Sequence, residues 1–142
     1  MPMTNPNAAD PSRPVHRGLK IEWQDVSGAI MLRLRGPMVT ESDAETLQHV
    51  VRHVLSVTAE QSLVFDMAGA APITARGMTA LILAQGAVRR AGRHLVLLKP
   101  SVPLRTMIDQ LELSGWDDVA ETEASAIQRA RDWRSDGVAP QS

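Results

Sequence analysis

The sequence predicts an α/β fold built on one mixed β-sheet, and three observations carry that prediction. Two runs of alternating polarity, Leu19–Trp23 and Ile30–Leu34, flank the turn-forming Asp25-Val26-Ser27-Gly28 and read as an antiparallel hairpin. Two short apolar runs, Ser62–Met67 and His94–Leu98, read as strands buried on both faces. Between and after them lie segments whose apolar residues recur at helical spacing, about four in all. The order is therefore β-β-α-β-α-β-α-(β)-α: an antiparallel edge, then right-handed parallel βαβ crossovers with flanking helices.

Each element has its own signal. In the hairpin, Leu19, Ile21 and Trp23 share one face, and Ile30, Leu32 and Leu34 alternate with Met31, Arg33 and Arg35, as in a half-exposed strand. Gly36-Pro37 is expected to end that strand, because proline has no ladder donor. In TESDAETLQHVVRHVLSV, Thr40 and Ser42 are both N-cap candidates, and Ser42 with Glu45 fits a capping box. Leu47, Val50, Val51, Val54 and Leu55 then form one helical stripe. After the strand Ser62–Met67, a Gly/Ala/Pro segment is expected to be a loop leading to a helix over Arg76–Ala91. Gly92 is the expected C′ residue of that helix, with Arg89 and Arg90 in its last turn. Pro100 closes the strand His94–Leu98. Ser101 caps a third helix, with Pro103 in its first turn and Gly115 at its end. Val119–Thr122 suits a short edge strand, and Glu123–Trp133 a last helix carrying Ala124, Ile127, Ala130 and Arg131 at helical spacing.

Composition removes whole classes of function. The chain has 142 residues, suited to one domain with its own core. It has no cysteine, which excludes disulfides, thiol nucleophiles, iron–sulfur clusters and Cys-ligated zinc. Phe65, Trp23, Trp116 and Trp133 are the only aromatics, too few for base-stacking platforms. A net charge of −1 and a pI near 6.4 supply no field for nucleic acid or an anionic membrane. No apolar run is long enough to span a bilayer, so no direct membrane insertion is expected. The segment MPMTNPNAADPSRPVHR has no apolar signal core and reads as a disordered arm. The expected organisation is an arm over 1–17, a domain over 18–134 and a flexible tail over 135–142, in a soluble cytoplasmic protein.

Four stretches, in order, are similar to the STAS domains of bacterial anti-sigma-factor antagonists. LVFDMAGAAPITARGMTAL, Leu63–Leu81, resembles the family's strand, loop and helix start, whose motif is Asp-Ser-[Ser/Thr/Ala]-Gly-[Leu/Met]. LRLRGPMVTESDAETL resembles the second strand, glycine turn and first helix, written Leu-x-Gly-Glu-Leu-Asp; Gly36 matches, while Pro37 and Val39 replace the acidic residues. RRAGRHLVLLKPS and LELSGWDDV resemble the segments around the fourth strand and near the C-terminus. The matches run from about Leu19 to Trp133 and imply the STAS fold.

The resemblance also implies a site. In the family a partner kinase and anti-sigma factor docks on the loop before the second helix and on that helix's first turns, and the motif serine is phosphorylated. The motif falls on Thr74, Ala75, Arg76, Gly77 and Met78, so the phosphoacceptor position is Ala75, which has no hydroxyl. The equivalent docking surface is Pro72, Ile73, Thr74, Ala75, Arg76 and Met78, to which Leu83 is added. Leu83 lies opposite the stripe Met78, Leu81, Ile82, Gln85 and Val88, beside Thr79, Ala80 and Ala87; it is either a contact patch or covered by a neighbouring helix. Thr74 is either the N-cap of the second helix, bonding near Gly77, or a displaced phosphoacceptor. Arg76 opposes the helix dipole and either meets a partner's carboxylate or is solvated.

Other constellations are weaker. Glu45, His49 and His53 have metal-ligand spacing but lie on the polar face of the first helix, so no metal is expected. Asp66 ends a central strand, where it suits a loop-orienting acceptor better than a catalytic group. No catalytic triad, phosphate-cradling loop or cofactor motif is present, so neither an enzyme nor a cofactor is expected. The expected function is a protein-binding regulator whose partner is an anti-sigma factor or serine/threonine kinase-like protein. The alternatives are the STAS subunit of an ABC-type lipid-transport complex and a signalling scaffold; a weak homodimer is compatible with each.

Overall fold

A computed structural model describes residues 18–111 and 118–138, with side chains as far as Trp133. The elements are β1 (Lys20–Val26), β2 (Ala29–Met38), α1 (Glu41–Val57), β3 (Leu63–Ile73), α2 (Ala75–Arg90), β4 (Leu95–Leu98), α3 (Val102–Leu111), β5 (Val119–Ala120) and α4 (Glu123–Val138). They form one five-stranded sheet in the order β1-β2-β3-β4-β5. The first pair is antiparallel and the rest parallel, the mixed sheet the sequence predicts. The arm over 1–17, the helix end at Gly115, most of LELSGWDDV and residues 139–142 lie outside the described residues.

Strand alternation divides the core into two layers. Ile30, Leu32 and Leu34 of β2, Leu63, Phe65 and Met67 of β3 and Leu95 and Leu97 of β4 pack under α1, α2 and α3. The intervening residues Ala29, Met31, Val64, Val96 and Leu98 meet Ala126 and Ala130 of α4 on the other face. Met31 is thus fully buried, not half-exposed as the alternation of β2 suggested, because α4 covers that face. Burying a side chain such as Phe65 completely is worth about 2–3 kcal/mol, and most of the large ones lie on the three-helix side.

Helix ends follow the local chemistry with one change. The capping box of α1 is formed by Thr40 and Asp43, not Ser42 and Glu45. Asp43 Oδ1 accepts from the Leu19 amide at 2.9 Å, and Oδ2 from Val39 and Thr40 at 3.0 Å each. That long-range bond to Leu19 decides between the two overlapping boxes. Burial pushes the Asp43 carboxyl upward, but the donors from Val39, Leu19 and Thr40 outweigh it and hold the group below its usual value. Helix α2 ends as expected. Gly92 has φ +77°, its amide bonds to Arg89 O, and the Arg93 amide bonds to Val88 O, a Schellman arrangement. Ser101 Oγ accepts from the Leu104 amide at 3.2 Å and caps α3. Helix α4 runs to Val138, into the segment expected to be a tail.

Both central strands are longer than their sequence signals. The strand does not stop at Gly36-Pro37, and the segment after Met67 is not a loop. Past Arg35 and Asp66, β2 and β3 continue together through Gly36↔Ala70 and Met38↔Ile73. Neighbour β1 reaches β2 only as far as Arg35, and β4 reaches β3 only as far as Asp66. Each strand is therefore an edge where it carries Pro37 or Pro72, the setting in which a missing N–H does no harm. The result is a two-stranded ribbon projecting from the sheet, and α2 starts at its tip.

Candidate functional site

The ribbon positions the start of α2 through one carbonyl. Met38 O, at the end of β2, accepts the Thr74 amide at 3.2 Å and lies 3.4 Å from Thr74 Oγ1. Thr74 therefore turns its hydroxyl back to the strand, and α2 has no side-chain cap. The expected N-cap bond is absent because this acceptor, distant in sequence, takes the hydroxyl. Gly77 lies over the same joint: a Cβ there would stand 2.1 Å from Met38 O and 2.8 Å from Met38 Cβ. A hydrogen is all that fits.

Around this joint Pro72, Thr74, Ala75 and Arg76 are exposed, and Ile73 is half-buried against the core. Met78 is 3% exposed and belongs to the core under α2, so it supports the surface from below and does not line it. Leu83 is 55% exposed, uncovered by any described neighbour, and follows Arg76 and Thr79 along one helix face. Ala80, grouped with Leu83 by spacing, is instead buried, and its carbonyl accepts from Gln48 Nε2 of α1 at 2.9 Å. Arg76 Nη1 stands 3.8 Å from Glu41 Oε1, with both side chains largely exposed. Such a contact is worth little and leaves the guanidinium available.

Asp66 lies away from this surface, on the α4 face of the sheet. It accepts from Ala68 N at 3.1 Å and from Arg33 Nη1 at 2.9 Å, orienting the start of the ribbon. Arg33 also meets Glu123 of α4 at 3.3 Å. The Glu123 hydrogen bond, opposed by burial and reinforced by Asp66, raises the guanidinium further above its usual value. Among the described residues no group of His, Asp and Glu is arranged to hold a metal, and His53 instead meets the Trp23 ring edge-on at 6.2 Å. Sequence reasoning missed Asp43, whose Thr40-x-x-Asp43 spacing was the available signal.

The family model of the STAS domain matches residues 20–126. The chain belongs to the STAS domain family. No curated protein matches the sequence. Among solved structures, this STAS domain is similar to the unphosphorylated anti-sigma factor antagonist SpoIIAA of Bacillus, with 17% identity and a TM-score of 0.60 over 80% of this chain and 98% of that one. It is similar to a sulfate transporter family protein from Wolinella succinogenes, with 21% identity and a TM-score of 0.62 over 93% and 99% of the two chains. It is also similar to part of the murine anion transporter Slc26a9, with 17% identity and a TM-score of 0.65 over 77% of this chain and 18% of that one. These likenesses establish the SpoIIAA-like fold. Among the described residues, no helix of this STAS domain is long and apolar enough to cross a membrane.

Proposed function

We propose that this STAS domain is a non-catalytic, protein-binding regulator of the anti-sigma-factor-antagonist type that works without the phosphoserine switch. Its partner would be an anti-sigma factor or serine/threonine kinase-like protein, acting in transcription control in the bacterial cytoplasm. The partner would dock on Pro72, Ile73, Thr74, Ala75, Arg76 and Leu83, with Met78 beneath. One observation carries the reading: Ala75 stands exposed in the first turn of α2, at the phosphoacceptor position, on a joint held by Met38 and Gly77. A methyl group there keeps the surface and removes the chemistry that would turn it off. The nearby Thr74 hydroxyl makes a long 3.4 Å contact to Met38 O.

The test is incubation of the purified chain with a kinase of this class and ATP, followed by intact-mass analysis and binding to the same kinase. Stable binding without added phosphate supports the reading; phosphate on Thr74 overturns it. The likeness to transporter-associated domains favours one second reading, a STAS subunit of a transport complex. Co-purification with a membrane-embedded ATPase, unaffected by changes at Arg76 and Leu83, would favour that role.

A further inference from the structure

A cleft of about 280 Å³ opens at the far end of α2, where its C-terminus and the start of β4 meet α4. Its lining residues Gln85 and Arg89 lie eight and twelve residues beyond Gly77 on α2, about 12–18 Å along the helix from the Thr74–Gly77 joint. Gln85, Arg89, Arg93, His94, Leu95 and Trp133 line it. These are two guanidinium groups, an imidazole, an amide, an aliphatic side chain and an indole. Among the described residues no carboxylate lines it.

The walls are also held in place. Arg93 is 6% exposed, and its guanidinium donates to the carbonyls of Leu55, Thr58, Ala59 and Gln61 and to Thr58 Oγ1. His94 stacks on Trp133 with centroids 5.1 Å apart and planes 10° from parallel. Its Nε2 bonds to Asp118, whose other oxygen accepts from Arg129 Nη1 at 2.8 Å. Asp118 is thus already bonded to the imidazole and to the Arg129 guanidinium. Arg89 is exposed and makes no ion pair among the described residues. The volume is at the small end for ligand pockets, enough for one ring and its substituent.

We propose that this cleft binds a small aromatic carboxylate. The ring lies against the His94–Trp133 pair, and the carboxylate meets the Arg89 guanidinium. A planar fork matches a carboxylate in two hydrogen bonds, and an aromatic wall selects a flat ring over a puckered one. The inference does not depend on the docking surface and stands if that reading fails.

Benzoate is the probe. Titrated into the ¹⁵N-labelled full chain, it should shift the Trp133 indole N–H and the amides of Gly92, His94 and Leu95 along one saturable curve. Binding to the Arg89→Gln variant should be about tenfold weaker, with partial recovery in Arg89→Lys. Neutral benzamide and non-aromatic cyclohexanecarboxylate should each bind more weakly than benzoate. No saturable shift with benzoate, undiminished binding by Arg89→Gln, or shifts confined to Thr74–Met78 would each overturn the proposal.

Discussion

Met38 O and the Gly77 Cα face each other so closely that a methyl group on Gly77 would stand 2.1 Å from the oxygen. The obstacle is backbone, and the same oxygen is bonded to the Thr74 amide, so it cannot swing aside. Replacing Gly by Ala within a helix ordinarily gains about 0.5–1 kcal/mol. Here the sign reverses: Gly77→Ala is expected to cost about 1–3 kcal/mol in urea denaturation. It should also shift the Thr74 amide resonance as the joint opens.

Asp43 links stability to acid. Its folded carboxyl is held below the usual 3.8, so its stabilisation is present above that value and is lost as pH falls through the lower, folded value. Asp43→Asn keeps one acceptor oxygen and turns an NH₂ toward backbone donors, at a cost of about 1–3 kcal/mol near neutral pH. The gap in melting temperature between native and variant should therefore be widest above pH 4 and narrow steadily below it. A gap independent of pH would mean that the carboxylate charge plays no part.

At Thr74 the absence of a cap has a measurable counterpart. Removing a true N-cap hydroxyl costs about 1 kcal/mol. Because Thr74 Oγ1 makes only a 3.4 Å contact to Met38 O, Thr74→Ala should change stability by less than about 0.5 kcal/mol. Chemical denaturation of the two proteins decides this directly.

Ala75→Ser restores the missing hydroxyl on an exposed first turn, where backbone N–H groups favour an anion. The variant should fold normally and accept one phosphate from a kinase that leaves the native chain unmodified. Intact mass with and without ATP is the readout, and phosphorylation should weaken partner binding only in the variant.

Arg93 is a buried cation that ties the start of β4 to the end of α1. Its guanidinium serves four carbonyls at the end of α1 and beyond it. Arg93→Met leaves these part-buried acceptors without their donor and should cost about 1–3 kcal/mol, read as a fall in the urea midpoint.

What the sequence revealed was whatever local pattern decides. The buried strands around Phe65 and Val96, the stripe on α1, the Gly92 stop and the Ser101 cap all depend on residues within a few positions of each other. What it hid depends on pairing between distant segments. The strands run past Gly36 and Asp66 because Ala70 and Ile73 find Gly36 and Met38 across the sheet. Asp43 prevails over Glu45 because Leu19 supplies a donor, and Thr74 leaves its cap because Met38 supplies an acceptor. Of the motif residues, Ala75 and Arg76 are exposed, whereas Met78 lies in the core, as its place on the apolar stripe of α2 implied. The cleft had no sequence signal, since Arg89 and Trp133 come to line one cavity only after α4 packs.

Helix α4 brings only two small side chains, Ala126 and Ala130, to the buried layer formed by Ala29, Met31, Val64, Val96, Leu98 and Ala120. The helix itself thus contributes little buried apolar area, and polar contacts add to its hold, the Arg33–Glu123 pair near one end and the Asp118–Arg129 pair toward the other. Attachments of that kind loosen in salt, whereas the three-helix face does not. The two sides of this sheet should therefore come apart on different schedules, α4 exchanging its amide hydrogens well before α1 and α2.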